Sequence, residues 1–126
     1  MISAIVPQFF TADLDTTLAW YRDKLGFETQ FTYGEPTHYA GAIRDGFSIF
    51  FRRVDVVPLL APDKYEEEYL DAYVIVKGID ALYAEYKSRN VTFAREIGSM
   101  PWAFREFVVR DGDGRLLCFG QSTEYA

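Results

Sequence analysis

The chain has 126 residues, of which 49% are hydrophobic and 17% aromatic, so it can form one domain with a sizeable core. Its net charge of −6 argues against nucleic acid and anionic membranes as partners and favours cationic ligands. One cysteine excludes an intrachain disulfide and, with no apolar run long enough to span a membrane and no basic signal-peptide start, predicts a soluble cytoplasmic protein.

The first half of the chain is predicted to form one strand, one helix and three further strands. Asp13 is placed to cap the helix, Asp15 lies in its first turn where negative charge suits the helix dipole, and Gly26 ends it. The apolar face of this helix carries Leu14, Leu18, Tyr21 and Leu25. The strands are predicted at Ile2–Phe10, Phe27–Tyr33, Thr37–Arg44 and Phe47–Arg53, with turns at Gly34–Pro36 and Asp45–Gly46.

A connector from Val56 to about Glu68 follows the first half. It contains Pro58 and Pro62, which interrupt regular structure, and it ends in an acidic run of three glutamates. Runs of like charge usually form solvated surface, so we expect Glu66, Glu67 and Glu68 to face water.

The second half repeats the same order of elements. A helix is predicted to open at Gly78–Asp80, with Asn90 able to end it. An irregular segment, Gly98–Trp102, precedes a closing hairpin whose turn is built from Asp and Gly. The strands are predicted at Tyr69–Val76, Val91–Ile97, Phe104–Arg110 and Arg115–Gln121.

The two halves match each other in sequence. The turns Arg44-Asp45-Gly46 and Arg110-Asp111-Gly112 are separated by a shift of 66 residues, and the two helices align at a shift of 65. A nearly constant spacing indicates internal repetition. The sequence therefore predicts an α+β fold built from two tandem βαβββ modules.

This arrangement resembles the vicinal oxygen chelate superfamily, which includes glyoxalase I, extradiol dioxygenases, fosfomycin-resistance enzymes and bleomycin-resistance proteins. The resemblance rests on the segment Asp13–Phe27 with its Leu-Gly-Phe ending, on Ile79–Tyr83 and on the closing hairpin. Within the superfamily, Arg105–Asp111 looks most similar to the bleomycin-resistance branch. The resemblance implies one domain over residues 1–126, with module one at about 1–55, a linker at about 56–68, module two at about 69–126, and strands curled into an open half-barrel.

The resemblance also implies four positions at which the superfamily's enzymes hold a divalent metal. Carried over strand by strand, these positions hold Val6, Phe50, Asp71 and Cys118. Only Asp71 supplies a hard oxygen ligand, and the valine and phenylalanine cannot ligate at all. Gln8 and His38 are the other nearby donors. We therefore expect no metal, no other cofactor and no catalytic residue of the usual kind.

Three polar side chains are candidates for ligand binding. His38, the only histidine, is either a ligand contact or base, or an ordinary half-exposed strand residue. Cys118 is either a lining of the cavity or a small core residue, since no neighbouring base would activate it. Asp71 either faces inward, where a lone carboxylate needs a partner or a cationic ligand, or lies at the wet end of its strand.

Three aromatic side chains complete the predicted ligand-binding set. Trp102 lies in an irregular segment, where a large aromatic residue is a common recognition element, although it can also cover the core. By strand alternation, Phe50 and Tyr73 share the face of the predicted ligand positions. Each is either a stacking wall for a ligand or part of the core.

The resemblance implies a homodimeric binding protein of the bleomycin-resistance type, which sequesters a flat, cationic small molecule without breaking a bond. The negative net charge agrees with this expectation, since opposite charge speeds capture. Two alternatives stay open. One is a glyoxalase-like or dioxygenase-like enzyme of the same superfamily with an atypical site, and the other is a module that interacts with other proteins.

Overall fold

The computed structural model describes residues 1–57 and 61–124. The chain divides into two units, Met1–Leu60 and Ala61–Ala126, each containing one four-stranded sheet and one α-helix. This confirms the α+β class and the tandem modules expected from the repeat. No helix among the described residues has the length and apolar character that a membrane span requires.

The first unit has a mixed sheet with strand order β1-β4-β3-β2, in which β1 runs parallel to β4. Its first strand is shorter than predicted, because residues 2–7 lie outside β1. The other three strands match the predictions closely. The elements are β1 at Gln8–Thr11, α1 at Leu14–Trp20 with a π-helical continuation at Tyr21–Leu25, β2 at Glu28–Tyr33, β3 at Tyr39–Arg44 and β4 at Phe47–Arg53.

The ends of α1 follow from local sequence, as predicted. The Asp13 carboxylate accepts a hydrogen bond from the Thr16 backbone N–H at 3.1 Å, which satisfies one of the amides that a helix start leaves unpaired. Gly26 takes a left-handed conformation at φ 74°, which ends the helical segment at little steric cost. The predicted apolar face is buried against the sheet.

The core of the first unit lies between α1 and one face of the sheet. Phe51 is fully buried there and meets Tyr21 edge-to-face at 4.9 Å between ring centroids. The Phe9 ring packs against the Phe51 ring, with 6.0 Å between their centroids. Because side chains alternate along a strand, Phe50 points to the opposite face, away from the helix. The sheet thus has one core face and one face available for other contacts.

The second unit has the same topology, with strand order β5-β8-β7-β6 and β5 parallel to β8. The predicted strand at Tyr69–Val76 is reduced to four residues. Conversely, β6 runs through a bulged register into the segment predicted to be irregular, and the turn follows it. The elements are β5 at Ala72–Ile75, α2 at Ile79–Ser88, β6 at Phe93–Met100, β7 at Phe104–Arg110 and β8 at Leu116–Ser122.

The closing hairpin is present, and its turn is stabilised by a side chain. The Asp111 carboxylate accepts hydrogen bonds from the backbone N–H groups of Asp113 and Arg115, both at 2.9 Å, and pairs with the Arg115 guanidinium at 2.7 Å. Gly114 takes a φ of 88° in this turn. The predicted turn is confirmed, and the positive φ on which the prediction rested is found at Gly114. The backbone hydrogen bonds that the Asp111 side chain accepts are a second cause, which the structure adds.

The connector prediction is correct for two of the three glutamates. Glu66 and Glu67 are exposed, whereas Glu68 is partly buried and forms an ion pair with Arg95 at 2.9 Å. Glu68 is therefore no solvated connector residue. It packs against the second sheet because Arg95 in β6 places its guanidinium opposite the Glu68 carboxylate. Pro58, also assigned to the connector, lies outside the described residues.

Candidate functional site

One face of the second sheet carries a set of polar and aromatic side chains. The other face packs against α2 through Phe107 and Phe119, whose rings are stacked at 5.3 Å. Alternation along β7 and β8 then turns Glu106 and Cys118 to the face opposite the helix. Tyr73 joins them because it pairs with Cys118 across β5 and β8. We call this side of the second sheet the open face.

Glu106 is the centre of a hydrogen-bond network on the open face. Its side chain is only 2% exposed. The Tyr73 hydroxyl donates to its Oε2 at 2.5 Å, the Trp102 indole N–H donates to the same oxygen at 3.3 Å, and Arg95 donates to Oε1 at 2.7 Å. A buried carboxylate needs partners of this kind. The network brings together residues from three strands and the turn after β6.

Arg95 links this network to the connector. Besides its bond to Glu106, its guanidinium donates to both carboxylate oxygens of Glu68, at 3.0 and 2.9 Å, and to the Met100 sulfur at 3.2 Å. Two carboxylates thus share one guanidinium. The network of Glu68, Arg95 and Glu106 therefore carries one net negative charge at neutral pH.

The protonation states follow from these contacts. Burial acts to raise the pKa of the Glu106 carboxyl, but the hydrogen bonds from Tyr73, Arg95 and Trp102 outweigh it and hold the pKa below its ordinary value. Burial, followed by the hydrogen bond to Glu106, raises the pKa of the Tyr73 phenol. At neutral pH the carboxylate is therefore ionised and the phenol is a neutral donor.

The two aromatic members of the network remain accessible. Tyr73 is 43% exposed and Trp102 is 59% exposed, although each donates a hydrogen bond to a buried carboxylate. Trp102 lies in the turn before β7, next to Ala103, whose φ of 62° is unusual for a residue with a side chain. The predicted binding residues Tyr73 and Trp102 are thus brought together, with their rings at the surface.

The first sheet has an aromatic cluster on its face opposite α1. The Phe50 ring meets the rings of Phe31 and Tyr39 edge-to-face, with 5.2 and 6.1 Å between the ring centroids. The Phe31 and Tyr39 rings are stacked on each other, with 6.0 Å between their centroids. The Tyr39 hydroxyl donates to the Gln8 side-chain carbonyl. Phe50 is half-buried in this cluster and lies outside the helix-facing core.

The strand register shows which residues lie opposite Phe50 and Cys118. Gln8 pairs with Phe50 in the first unit, and Val6 lies before β1. In the second unit Tyr73 pairs with Cys118, and Asp71 lies just before β5. The ligand positions carried over to Val6 and Asp71 stay predictions.

The side chains at the paired positions do not fit a divalent metal. Phe50 has no donor atom, the Gln8 carbonyl already accepts from Tyr39, and Tyr73 donates its hydroxyl to Glu106. Burial, together with the charge of Glu106, raises the pKa of the Cys118 thiol to about 12, so it is not a thiolate. Among residues 1–57 and 61–124, no three His, Cys, Asp or Glu side chains cluster as metal ligands would.

Asp71 lies beside the start of β5, and its partner comes from within the chain. The buried Lys64 ammonium donates to its Oδ2 at 2.6 Å, and the Leu116 backbone N–H donates to the same oxygen at 2.9 Å. Lys64 also donates to the Tyr69 carbonyl at 3.1 Å. The partner that a lone carboxylate requires is thus an internal lysine. A ligand contact by Asp71 stays a prediction.

His38 lies in the turn before β3 and is exposed. Its ring meets Tyr33 edge-to-face at 5.5 Å, and its neighbour Tyr39 is the residue that joins the Phe50 cluster. A role of His38 in ligand binding therefore stays a prediction.

Cys118 is fully buried beside Val108 and Leu116 on the open face. We expect it to react with a disulfide reagent at about pH 8 at least about 100-fold more slowly in the folded protein than in denaturant, because it is both buried and protonated. Absorbance of the released thiolate measures this difference. Rapid stoichiometric labelling of the folded protein would contradict the assignment.

Sequence reasoning missed Glu106, Arg95 and Glu68. One signal for the first was available, since Glu106 is a charged residue two positions before Val108 in a strand that is otherwise largely apolar. Its alternation with Phe107 would have placed it on the face of Cys118. No local signal pointed to the pairing of Glu68 with Arg95, because they are 27 residues apart.

Comparison with known proteins agrees with this architecture. Residues 3–119 match the family model of the Glyoxalase/Bleomycin resistance protein/Dioxygenase superfamily. No curated protein matches the chain at a significant level.

Three solved structures illustrate the likeness. A glyoxalase-related enzyme from Clostridium phytofermentans superposes with a TM-score of 0.77 at 20% identity, covering 97% of this chain and 96% of its own. A bleomycin resistance determinant encoded on transposon Tn5 superposes with a TM-score of 0.72 at 18% identity, covering 96% of this chain and 98% of its own. A bleomycin-binding protein from Streptomyces verticillus, complexed with copper(II)-bleomycin, superposes with a TM-score of 0.68 at 25% identity, covering 94% of this chain and 97% of its own. The chain belongs to the glyoxalase/bleomycin resistance protein/dioxygenase superfamily.

Proposed function

We propose that this protein binds a cationic, aromatic small molecule and sequesters it, with no bond made or broken. The observation that carries the proposal is the arrangement on the open face of the second sheet. Tyr73 and Trp102 present exposed rings while both donate to the buried Glu106 carboxylate. Aromatic faces beside an anion suit a ligand that is both flat and positively charged.

The first sheet supports the same proposal independently. The Phe31–Tyr39–Phe50 cluster is half-buried and covers the face that α1 leaves free. Aromatic side chains gathered at a surface are characteristic of recognition sites, since they add large contact area at low conformational-entropy cost. Each unit, taken by itself, therefore presents an aromatic surface on which a planar ligand can stack.

Charge supports a cationic ligand. Glu68 and Glu106 face one guanidinium, so the network retains one negative charge, and the whole chain has a net charge of −6. Such a field speeds the capture of cations and weakens with rising salt.

The comparisons support this class of ligand through two proteins of the same fold. One is a bleomycin-binding protein and the other a bleomycin resistance determinant. We propose a bleomycin-like drug or metabolite as the ligand, drug resistance by sequestration as the outcome, a homodimer as the working form and the cytoplasm as the compartment. We also propose that no metal held by the protein takes part.

Calorimetric titration with metal-free bleomycin and with copper(II)-bleomycin tests this proposal. We expect saturable binding with a dissociation constant in the micromolar range or below. Trp102→Ala should weaken binding about tenfold, because it removes a stacking contact worth about 0.5–1.5 kcal/mol in addition to its buried area. Phe50→Ala tests the first sheet in the same way, with Phe47→Ala, an exposed residue of the same strand, as its matched control.

Three outcomes would contradict the proposal. The first is no heat of binding at millimolar bleomycin, with the protein shown to be folded. The second is equal affinity for Trp102→Ala and the wild type. The third is a stoichiometric, tightly held divalent metal in purified protein, which would favour the enzyme alternative. Sedimentation of the same samples reports whether the protein is a dimer.

A further inference from the structure

Tyr73 occupies an unusual position for a side chain that reaches Glu106. It lies on β5, an edge strand, and Glu106 lies on β7, with β8 between them. Adjacent strands are about 4.8 Å apart, so the tyrosine must reach across one complete strand to place its hydroxyl 2.5 Å from the carboxylate. The end of its side chain therefore passes over a residue of β8.

The residue beneath the ring is Gly120. It pairs with Glu106 on β7, two positions beyond the Tyr73–Cys118 pair. A Cβ built on Gly120 would clash with the Tyr73 hydroxyl oxygen, would lie 3.0 Å from Cζ of the same ring and would lie 3.3 Å from a Phe104 ring carbon. Any side chain at this position occupies the space that the tyrosine now fills.

The backbone conformation at position 120 does not require a glycine. Gly120 lies inside a regular strand and lacks the left-handed φ that Gly26 and Gly114 show. A strand glycine without special backbone geometry commonly marks a close approach by another group. Here the approaching group is the phenol of Tyr73.

We propose that Gly120 is a positioning residue of the ligand site, because its missing side chain lets Tyr73 cross β8 and lock its ring against Glu106. The Tyr73 ring is then a fixed wall whose orientation is set before the ligand arrives. A wall held in this way costs less entropy on binding than a freely rotating edge-strand tyrosine. The binding part of this inference rests on the proposed function, whereas the positioning part does not.

The test compares Gly120→Ala with Gly98→Ala. Gly98 lies in β6 of the same sheet, and a Cβ there meets only the Met100 methyl at an ordinary 3.7 Å. We expect Gly120→Ala to return the Tyr73 phenol toward its ordinary pKa near 10, because the ring loses both its burial and its bond to Glu106. NMR of ¹³Cζ-labelled tyrosine, assigned with Tyr73→Phe, follows this titration. Gly98→Ala should leave it unchanged.

Bleomycin affinity supplies the second measurement. We expect Gly120→Ala to raise the dissociation constant at least about fivefold, while Gly98→Ala changes it less than about twofold. In a Tyr73→Ala background, adding Gly120→Ala should have no further effect, since the two residues act through one contact. The substituted methyl meets the end of a flexible side chain, so the variant is expected to fold.

Each result decides between the possibilities. An unchanged Tyr73 titration in Gly120→Ala would overturn the positioning role. An equal loss of affinity with and without Tyr73 would show that Gly120 acts on something else, and it too would overturn the inference. If the wild type binds no bleomycin, the proposed function fails, and the phenol titration alone still decides whether Gly120 positions the ring.

Discussion

Replacing Glu106 with glutamine is expected to lower the free energy of unfolding by about 2–4 kcal/mol. Glutamine keeps the shape of the side chain but removes the charge that three donors address. Among the described residues, Arg95 would retain only the more exposed Glu68 as an ionic partner. Tyr73 and Trp102 would compete for one neutral oxygen, because the new amide is itself a donor. Urea denaturation with a shared m-value measures the loss.

The same substitution changes how stability depends on pH. The folded-state pKa of Glu106 lies below its ordinary value, so its contribution is complete above the unfolded-state pKa and is lost as pH falls through the folded-state pKa. The wild type should therefore lose more stability than Glu106→Gln when pH falls below about 4.5. The difference between the two proteins should be constant above about pH 6.

Glu96→Gln is the matched control for this prediction. Glu96 lies in β6 of the same sheet and is exposed, so its loss should change stability by no more than about 0.5 kcal/mol. A Glu106→Gln variant as stable as this control would show that the charge of Glu106 does not contribute to the free energy of unfolding. Glu106→Gln should also weaken bleomycin binding, since it weakens the hydrogen bonds that hold the Tyr73 and Trp102 side chains and removes one negative charge.

The Asp71→Asn substitution is the second change with a large expected effect. It should cost about 2–4 kcal/mol, because the Lys64 ammonium, whose side chain is only 6% exposed, would lose its sole ion-pair contact among the described residues. Lys64 would keep the Tyr69 carbonyl as an acceptor and would share one neutral amide oxygen with the Leu116 N–H. Thermal and urea unfolding measure the cost.

A double variant makes this prediction specific. Lys64→Met in the Asp71→Asn background removes the uncompensated buried charge and should restore part of the lost stability. Asp55→Asn is the control, since Asp55 pairs with Arg53 at 3.2 Å on an exposed surface where ion pairs contribute at most about 1 kcal/mol. No recovery in the double variant would contradict the buried ion pair. Bleomycin affinity of folded Asp71→Asn tests the predicted ligand contact separately.

The elements with local signals could be predicted well. Asp13 caps α1, Gly26 ends it, and Asp111 with Gly114 forms the last turn, each through contacts within a few residues. The repeat of helix and hairpin at nearly one spacing was enough to predict two modules of the same order. These features depend on short-range geometry, which a sequence displays directly.

Strand starts were harder to predict. Both β1 and β5 begin later than their apolar patterns suggest, so Val6 and Asp71 lie before the strands, and Gln8 and Tyr73 are the residues that pair with Phe50 and Cys118. A strand begins where its partner offers hydrogen bonds, and that partner is distant in sequence. Local apolar character cannot report it.

The composition, the modular order, the helix ends and the hairpin could all be obtained from neighbouring residues alone. The candidate site could be predicted only in its aromatic members, Tyr73, Trp102 and Phe50. Trp102 lies only 4 positions from the carboxylate that it contacts, but Tyr73, Arg95 and Glu68 join the network through contacts across 11 to 33 positions. Such contacts exist only after the strands have paired, because pairing decides which side chains meet on one face.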